Sequence, residues 1–208
     1  MSVANLNRDT YEVNYTTPLD MNLQFIEKNW SPFEYIDEDQ KSHLFIEYRI
    51  YPRKLLELTN PQVNDLRNIT LPRNIAFTPL FWGGKWGEMR GGTHAQKIGD
   101  EYLAFFHSCF KEDGLVWFNM GAYTFEDKPP FRLTGISPHP ILFKGIFNTP
   151  LTHTAPFDKR VIYPSGFVFE KKGERELVHV ACGENDCAIK IVTMDLIKLK
   201  ESLIRIED

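Results

Sequence analysis

The chain has 208 residues, 42% hydrophobic and 25% charged, which suits one compact domain with a substantial core and excludes a disordered chain. A formal net charge of -4 and a pI near 5.9 give no basic field for nucleic acid. No stretch approaches the ~20 apolar residues that span a bilayer, so neither nucleic acid nor a membrane is an expected partner.

The N-terminal stretch Met1 to Asp20 is polar and lacks the apolar region of a secretory signal, so a cytoplasmic protein is expected. Residues 1–24 show no clear periodicity and read as a lead-in segment or a single edge strand, and residues 25–208 as the domain. From Phe33 onward, short apolar or alternating runs are broken by turn residues. The strands predicted in order are Phe33–Ile36, His43–Tyr51, Ala76–Phe81, Glu101–Phe106, Val116–Tyr123, Arg160–Phe169, Glu176–Ala181 and Ala188–Met194. Ile98-Gly99-Asp100-Glu101 and Lys172-Gly173-Glu174 read as hairpin turns. Only Asp195–Ile206 has apolar residues at helical spacing, which predicts a short C-terminal helix. Such a chain is an all-β sandwich, barrel or propeller. Cys109, Cys182 and Cys187 are odd in number and lack metal-ligand spacing, so neither a disulfide framework nor a metal site is expected.

Chemistry concentrates in a few places. Trp82 to His94 holds five glycines, Trp82, Trp86, Lys85, Glu88 and Arg90. Arg90 beside Gly91-Gly92 suits bidentate binding of a carboxylate or phosphate, and Trp82 or Trp86 suits stacking on a sugar face. A structural ion pair for Arg90 is the equal alternative. The glycines do not match a nucleotide phosphate loop. His107 closes a strand, where it would face a cleft or fill the core. Glu184 and Asp186 offer carboxylates at a turn, for acid–base work or for backbone reasons alone. Lys28 and Arg49 sit at strand ends, where solvated surface charge is the ordinary role.

In order, these motifs resemble the five-bladed propellers of the β-mannoside phosphorylase family, glycoside hydrolase family 130. Lys28-Asn29-Trp30-Ser-Pro-Phe33 resembles its Lys-Asn-Trp blade opening, and Phe45-Ile-Glu-Tyr-Arg49 the next strand, with Tyr48 in the place of His. Gly91-Gly-Thr-His-Ala95 and Gly99-Asp-Glu-Tyr-Leu-Ala-Phe-Phe-His107 resemble the Gly-Ala-Pro-Pro segment and the strand ending Tyr-His-Gly. Val161-Ile-Tyr-Pro-Ser-Gly166 is similar to Val-Phe-Pro-Thr-Gly, and Val180-Ala-Cys-Gly-Glu-Asn-Asp186 to Tyr-Tyr-Gly-Ala-Ala-Asp.

The resemblance implies about three four-stranded antiparallel blades, with the N-terminal blades and their Glu-Asp-Pro-Arg proton-donor motif absent. It implies that Lys28, Arg49 and His107 face an anion or phosphate pocket, that Tyr163 lies near its rim, and that Asp186 lies at the sugar cleft as the catalytic candidate. The implied activity is hydrolysis or phosphorolysis of β-linked, mannose-type oligosaccharides, with inorganic phosphate as co-substrate and no other cofactor. A non-catalytic glycan-binding or scaffold fragment and a glycosyltransferase are the alternatives. An incomplete propeller also leaves sheet surface uncovered, so self-association or a partner chain completing the ring is expected.

Overall fold

A computed structural model describes residues 2–18, 28–60, 65–70, 80–150 and 159–206. The chain is all-β and propeller-like; its described residues form a two-stranded hairpin, a four-stranded sheet that is the first blade, and a nine-stranded sheet that divides into the second and third blades. Residues 2–18 form neither a plain lead-in nor a single strand but a hairpin, β1 (Ser2–Leu6) with β2 (Val13–Pro18). The first blade is the antiparallel sheet β3 (Ser31–Ile36), β4 (Ser42–Arg49), β5 (Lys54–Asn60) and β6 (Asp65–Thr70).

Helix α1 (Leu80–Trp86) follows. The predicted strand Ala76–Phe81 falls mainly outside the described residues, and Leu80 and Phe81 open this helix instead. The second blade pairs β7 (Met89–Gly91) and β8 (Gln96–Ile98) with one side of β9 (Glu101–Glu112). It continues through β10 (Leu115–Glu126) to β11 (Leu133–Ile136). The third blade has three strands, β12 (Lys159–Lys172), β13 (Arg175–Glu184) and β14 (Ala188–Asp195). A short parallel stretch, Val116–Phe118 with Lys159–Val161, joins the second and third blades. Helix α2 (Leu196–Ser202) matches the predicted C-terminal helix; Asp195 caps it by accepting the Lys198 N–H at 3.0 Å. Residues Ile204–Arg205, β15, then pair with β11.

The run Tyr102-Leu-Ala-Phe-Phe106 is continuously apolar because the second blade is covered on both faces. Tyr102, Ala104 and Phe106 join Phe33, Phe45 and Leu55 in one core layer. Leu103 and Phe105 join Phe167, Val178, Val180 and Cys182 in another. Phe33 centres the first layer, with ring centroids of Phe45, Tyr102, Phe125 and Phe131 at 5.4, 5.3, 5.2 and 5.3 Å.

Gly91 and Gly92 let the inner strands of all three blades approach. A Cβ on Gly91 would lie 2.3 Å from the Asn29 carbonyl oxygen, and one on Gly92 would lie 2.8 Å from the Pro164 ring. Cys182 is buried and Cys109 and Cys187 are half-buried, all as thiols. Among the described residues no helix is long and apolar enough to cross a membrane.

Candidate functional site

The ends of the inner strands frame a cleft of about 260 Å³ between the first and second blades. Lys28 precedes β3, Arg49 closes β4 and Arg90 lies within β7, and all three line it. Two carboxylates also line it. Glu47 is buried, and its oxygens accept from Arg53 Nη1 and from the Tyr123 hydroxyl. Glu88 lies 3.7 Å from Arg90. Glu47 is answered by Arg53, outside the lining, so among the described residues three cations face one remaining carboxylate. That surplus of positive charge in a concave site favours an anion.

His107 lies behind this lining, opposite Arg90 in the β7–β9 register. Burial pushes its pKa down to about 4, the charges of Arg90 and Lys28 push the same way, and a hydrogen bond with the Gly91 backbone opposes them. The ring is therefore neutral near pH 7, and its buried Nδ1 has no hydrogen-bond partner among the described residues. Tyr163, from the third blade, packs its ring 4.5 Å from that imidazole and donates its hydroxyl to Asn29 Oδ1 at 3.4 Å. Residues of all three blades thus meet around His107, which lies in the middle of β9 and not at the strand end expected from the sequence.

The remaining predicted residues lie elsewhere. Asp186 is exposed, in left-handed conformation (φ 54°), on the turn joining β13 and β14, and does not line the cleft. Trp82 is fully buried against Phe106 at 4.8 Å. A sugar face has no access to it, which corrects the stacking role read from the sequence; the neighbouring Gly83 and Gly84 lie exposed in α1. Trp86 is half-buried, edge-on to Phe110 at 5.6 Å, with Lys85 Nζ 4.7 Å above its ring, and it too stands outside the cleft.

The aromatic wall of the cleft is formed by Trp30 and Tyr48, 5.1 Å apart, with Lys54 Nζ 4.2 Å over the Tyr48 ring. The sequence places their neighbours Lys28 and Arg49 at strand ends, and its stacking candidates lie in the glycine-rich segment instead. The usable signal was the adjacency of Trp30 and Tyr48 to Lys28 and Arg49. Among the described residues no group of three or more His, Cys, Asp or Glu could hold a metal ion.

No protein-family model matches the chain, and no curated protein matches it by sequence. Among solved structures, it overlays a candidate glycoside hydrolase from Parabacteroides distasonis ATCC 8503 with a TM-score of 0.50 and 13% identity, covering 80% of this chain and 50% of that one. An α-L-arabinanase from Cellvibrio cellulosa gives a TM-score of 0.37 at 10% identity over 89% of this chain and 59% of that one, a likeness too weak to bear on the argument. The chain spans half the length of the first of these structures. At such identity the first likeness establishes shared architecture, a propeller-type β fold, and nothing about chemistry.

Proposed function

We propose that the chain is a carbohydrate-active protein of the propeller glycosidase and glycoside phosphorylase kind, whose cationic cleft holds an anionic group while Trp30 and Tyr48 cover a sugar ring. The observation that carries this is the convergence of Lys28, just before β3, and Arg49, at the end of its paired strand β4 in the first blade, with Arg90, from β7 of the second, on one concave site beside an aromatic wall. Inorganic phosphate is the first candidate anion and a β-linked, mannose-type oligosaccharide the first candidate glycan. In phosphorolysis a phosphate oxygen bonds to the anomeric carbon, the glycosidic C–O bond breaks, and the leaving oxygen takes a proton from an acid. Asp186 is the candidate acid, and the glycan would then extend from the cleft across the β13–β14 turn.

Calorimetric titration with inorganic phosphate, and incubation of β-mannobiose with phosphate followed by assay for mannose 1-phosphate, test the proposal. Phosphate binding lost in Arg49→Ala, with turnover lost in Asp186→Asn, supports it in full. Failure to bind phosphate, sugar phosphates or any glycan in a panel removes it.

A specific observation favours a second reading, a glycan-binding propeller without catalysis. Among the described residues, both carboxylates of the cleft are engaged, Glu47 by Arg53 and Tyr123 and Glu88 by Arg90. Saturable glycan binding without turnover, weakened in Trp30→Ala, selects this reading.

A further inference from the structure

In the cleft, an irregularity of the backbone sets each aromatic of the wall beside a cation. Neighbouring side chains of a regular strand point to opposite faces. Glu47 pairs with Leu55 but Arg49 with Lys54, so Tyr48 is the extra residue of a β-bulge. Glu47, Tyr48 and Arg49 accordingly all line the cleft. Just before the paired strand β3, Asn29 is left-handed (φ 65°), and Lys28 and Trp30 on either side of it both line the cleft. Bulges and left-handed residues of this kind gather at binding sites, where they re-aim side chains.

We propose that the ligand of this cleft is a hexuronic acid residue, its carboxylate on Arg49 and Arg90 and its ring against the Trp30–Tyr48 wall, an assignment that rests on the proposed role of the same cleft. The volume, about 260 Å³, lies below the roughly 300–1,000 Å³ of drug-sized sites. It suits one sugar residue carrying its own anion better than a phosphate beside a disaccharide. Arg90 already holds a carboxylate loosely: Glu88 lies 3.7 Å away, and both side chains reach solvent. Its planar fork is thus open to exchange with another carboxylate. Glu88 also repels a phosphate, with its larger negative charge, more than it repels a singly charged carboxylate. Joining anion and ring in one ligand strengthens both contacts, because the second is made without a second loss of free motion.

Calorimetric titration of the full chain with D-glucuronate, D-galacturonate and D-mannuronate, each against its neutral hexose in excess acetate, tests this. At least one hexuronate is expected to bind roughly tenfold tighter than its hexose. Arg49→Ala should abolish that margin with unchanged circular dichroism, since Arg49 is exposed. Glu88→Gln should strengthen inorganic phosphate binding about threefold and hexuronate binding less. Hexuronates no tighter than their hexoses, while phosphate or β-mannobiose binds, overturn the hexuronate and leave the wider role of the cleft standing. Sugar phosphates bound more tightly than every hexuronate, or a margin that survives Arg49→Ala, also overturn it. Binding of none of these ligands removes both.

Discussion

Arg90 and His107 face one another across the β7–β9 pair, and after burial itself the Arg90 charge is the largest influence keeping the imidazole neutral. The unfolded chain takes up a proton near the ordinary histidine pKa of about 6.5, whereas the folded chain resists it down to about 4. Stability therefore falls as pH drops through that window. His107→Asn should raise the pH 5 unfolding midpoint relative to the pH 8 midpoint, by urea denaturation of both proteins at each pH.

His43 has the opposite slope. Its ring bridges Asp37 at 2.8 Å and Glu57 at 2.9 Å, and Arg67 approaches Glu57 at 3.9 Å. Hydrogen bonds to Asp37 and then Glu57 raise the His43 pKa, and the same His43 contact lowers that of Asp37. The His43 contribution is complete below about 6.5 and is lost as pH rises through the raised value. The Asp37 contribution is present above about 4 and is lost as pH falls. His43→Gln should therefore lower the midpoint more at pH 5 than at pH 8. An equal loss at both values would show that the carboxylates do not act through the ring's charge.

At Gly91 the first and second blades approach closely. Gly91→Ala places a Cβ 2.3 Å from a backbone oxygen of the first blade, which a rotamer change cannot relieve. A loss of about 2–3 kcal/mol is expected, typical of overpacking. Gly166→Ala, where the new methyl meets open space, should stay within about 0.5 kcal/mol of the wild type. Urea unfolding of the two variants side by side makes the comparison.

Under the cleft, Glu47, Arg53 and Tyr123 tie the first blade to the second, and Arg53 also packs 4.3 Å over the Phe125 ring. Arg53→Met leaves a buried carboxylate without its cation and should cost about 3–5 kcal/mol. Tyr123→Phe removes one hydrogen bond and should cost about 1–2 kcal/mol. The double change Glu47→Leu/Arg53→Met should recover much of the first loss, since it leaves neither charge buried. Chemical denaturation of the set tests this, and a double variant no more stable than Arg53→Met would contradict it.

Within the proposed ligand site, the two parts should separate. Trp30→Ala is expected to weaken glycan binding roughly tenfold, the scale of one lost stacking contact, and to leave inorganic phosphate binding unchanged. Arg49→Ala should weaken both, and raising salt should weaken the phosphate arm most. Equal losses of both ligands in Trp30→Ala would mean the aromatic wall shapes the cleft rather than touching sugar.

The sequence made the blades and their turns legible because apolar runs, alternation and glycine turns are local signals. The resemblance groups Lys28, Arg49 and His107, yet the cleft that Lys28 and Arg49 share with Arg90, with His107 behind it, depends on strand register, which no local pattern states. Strand β11 is four residues long and β5 mixes Leu with Lys and Glu, so neither rises above background. Trp82 was misread because an aromatic among glycines looks the same whether it faces solvent or, as here, Phe106. Asp186 was singled out by its place in a motif, whereas its position follows from a tight turn with Asn185 and Asp186 both in left-handed conformation.

Strand β9 gives alternate side chains to two different core layers, Tyr102, Ala104 and Phe106 to one and Leu103 and Phe105 to the other. Neither layer can melt without pulling the shared backbone out of the other. Three blades that might have come apart in stages are thereby coupled into a single all-or-none unit, for which calorimetric and van't Hoff enthalpies of unfolding should agree.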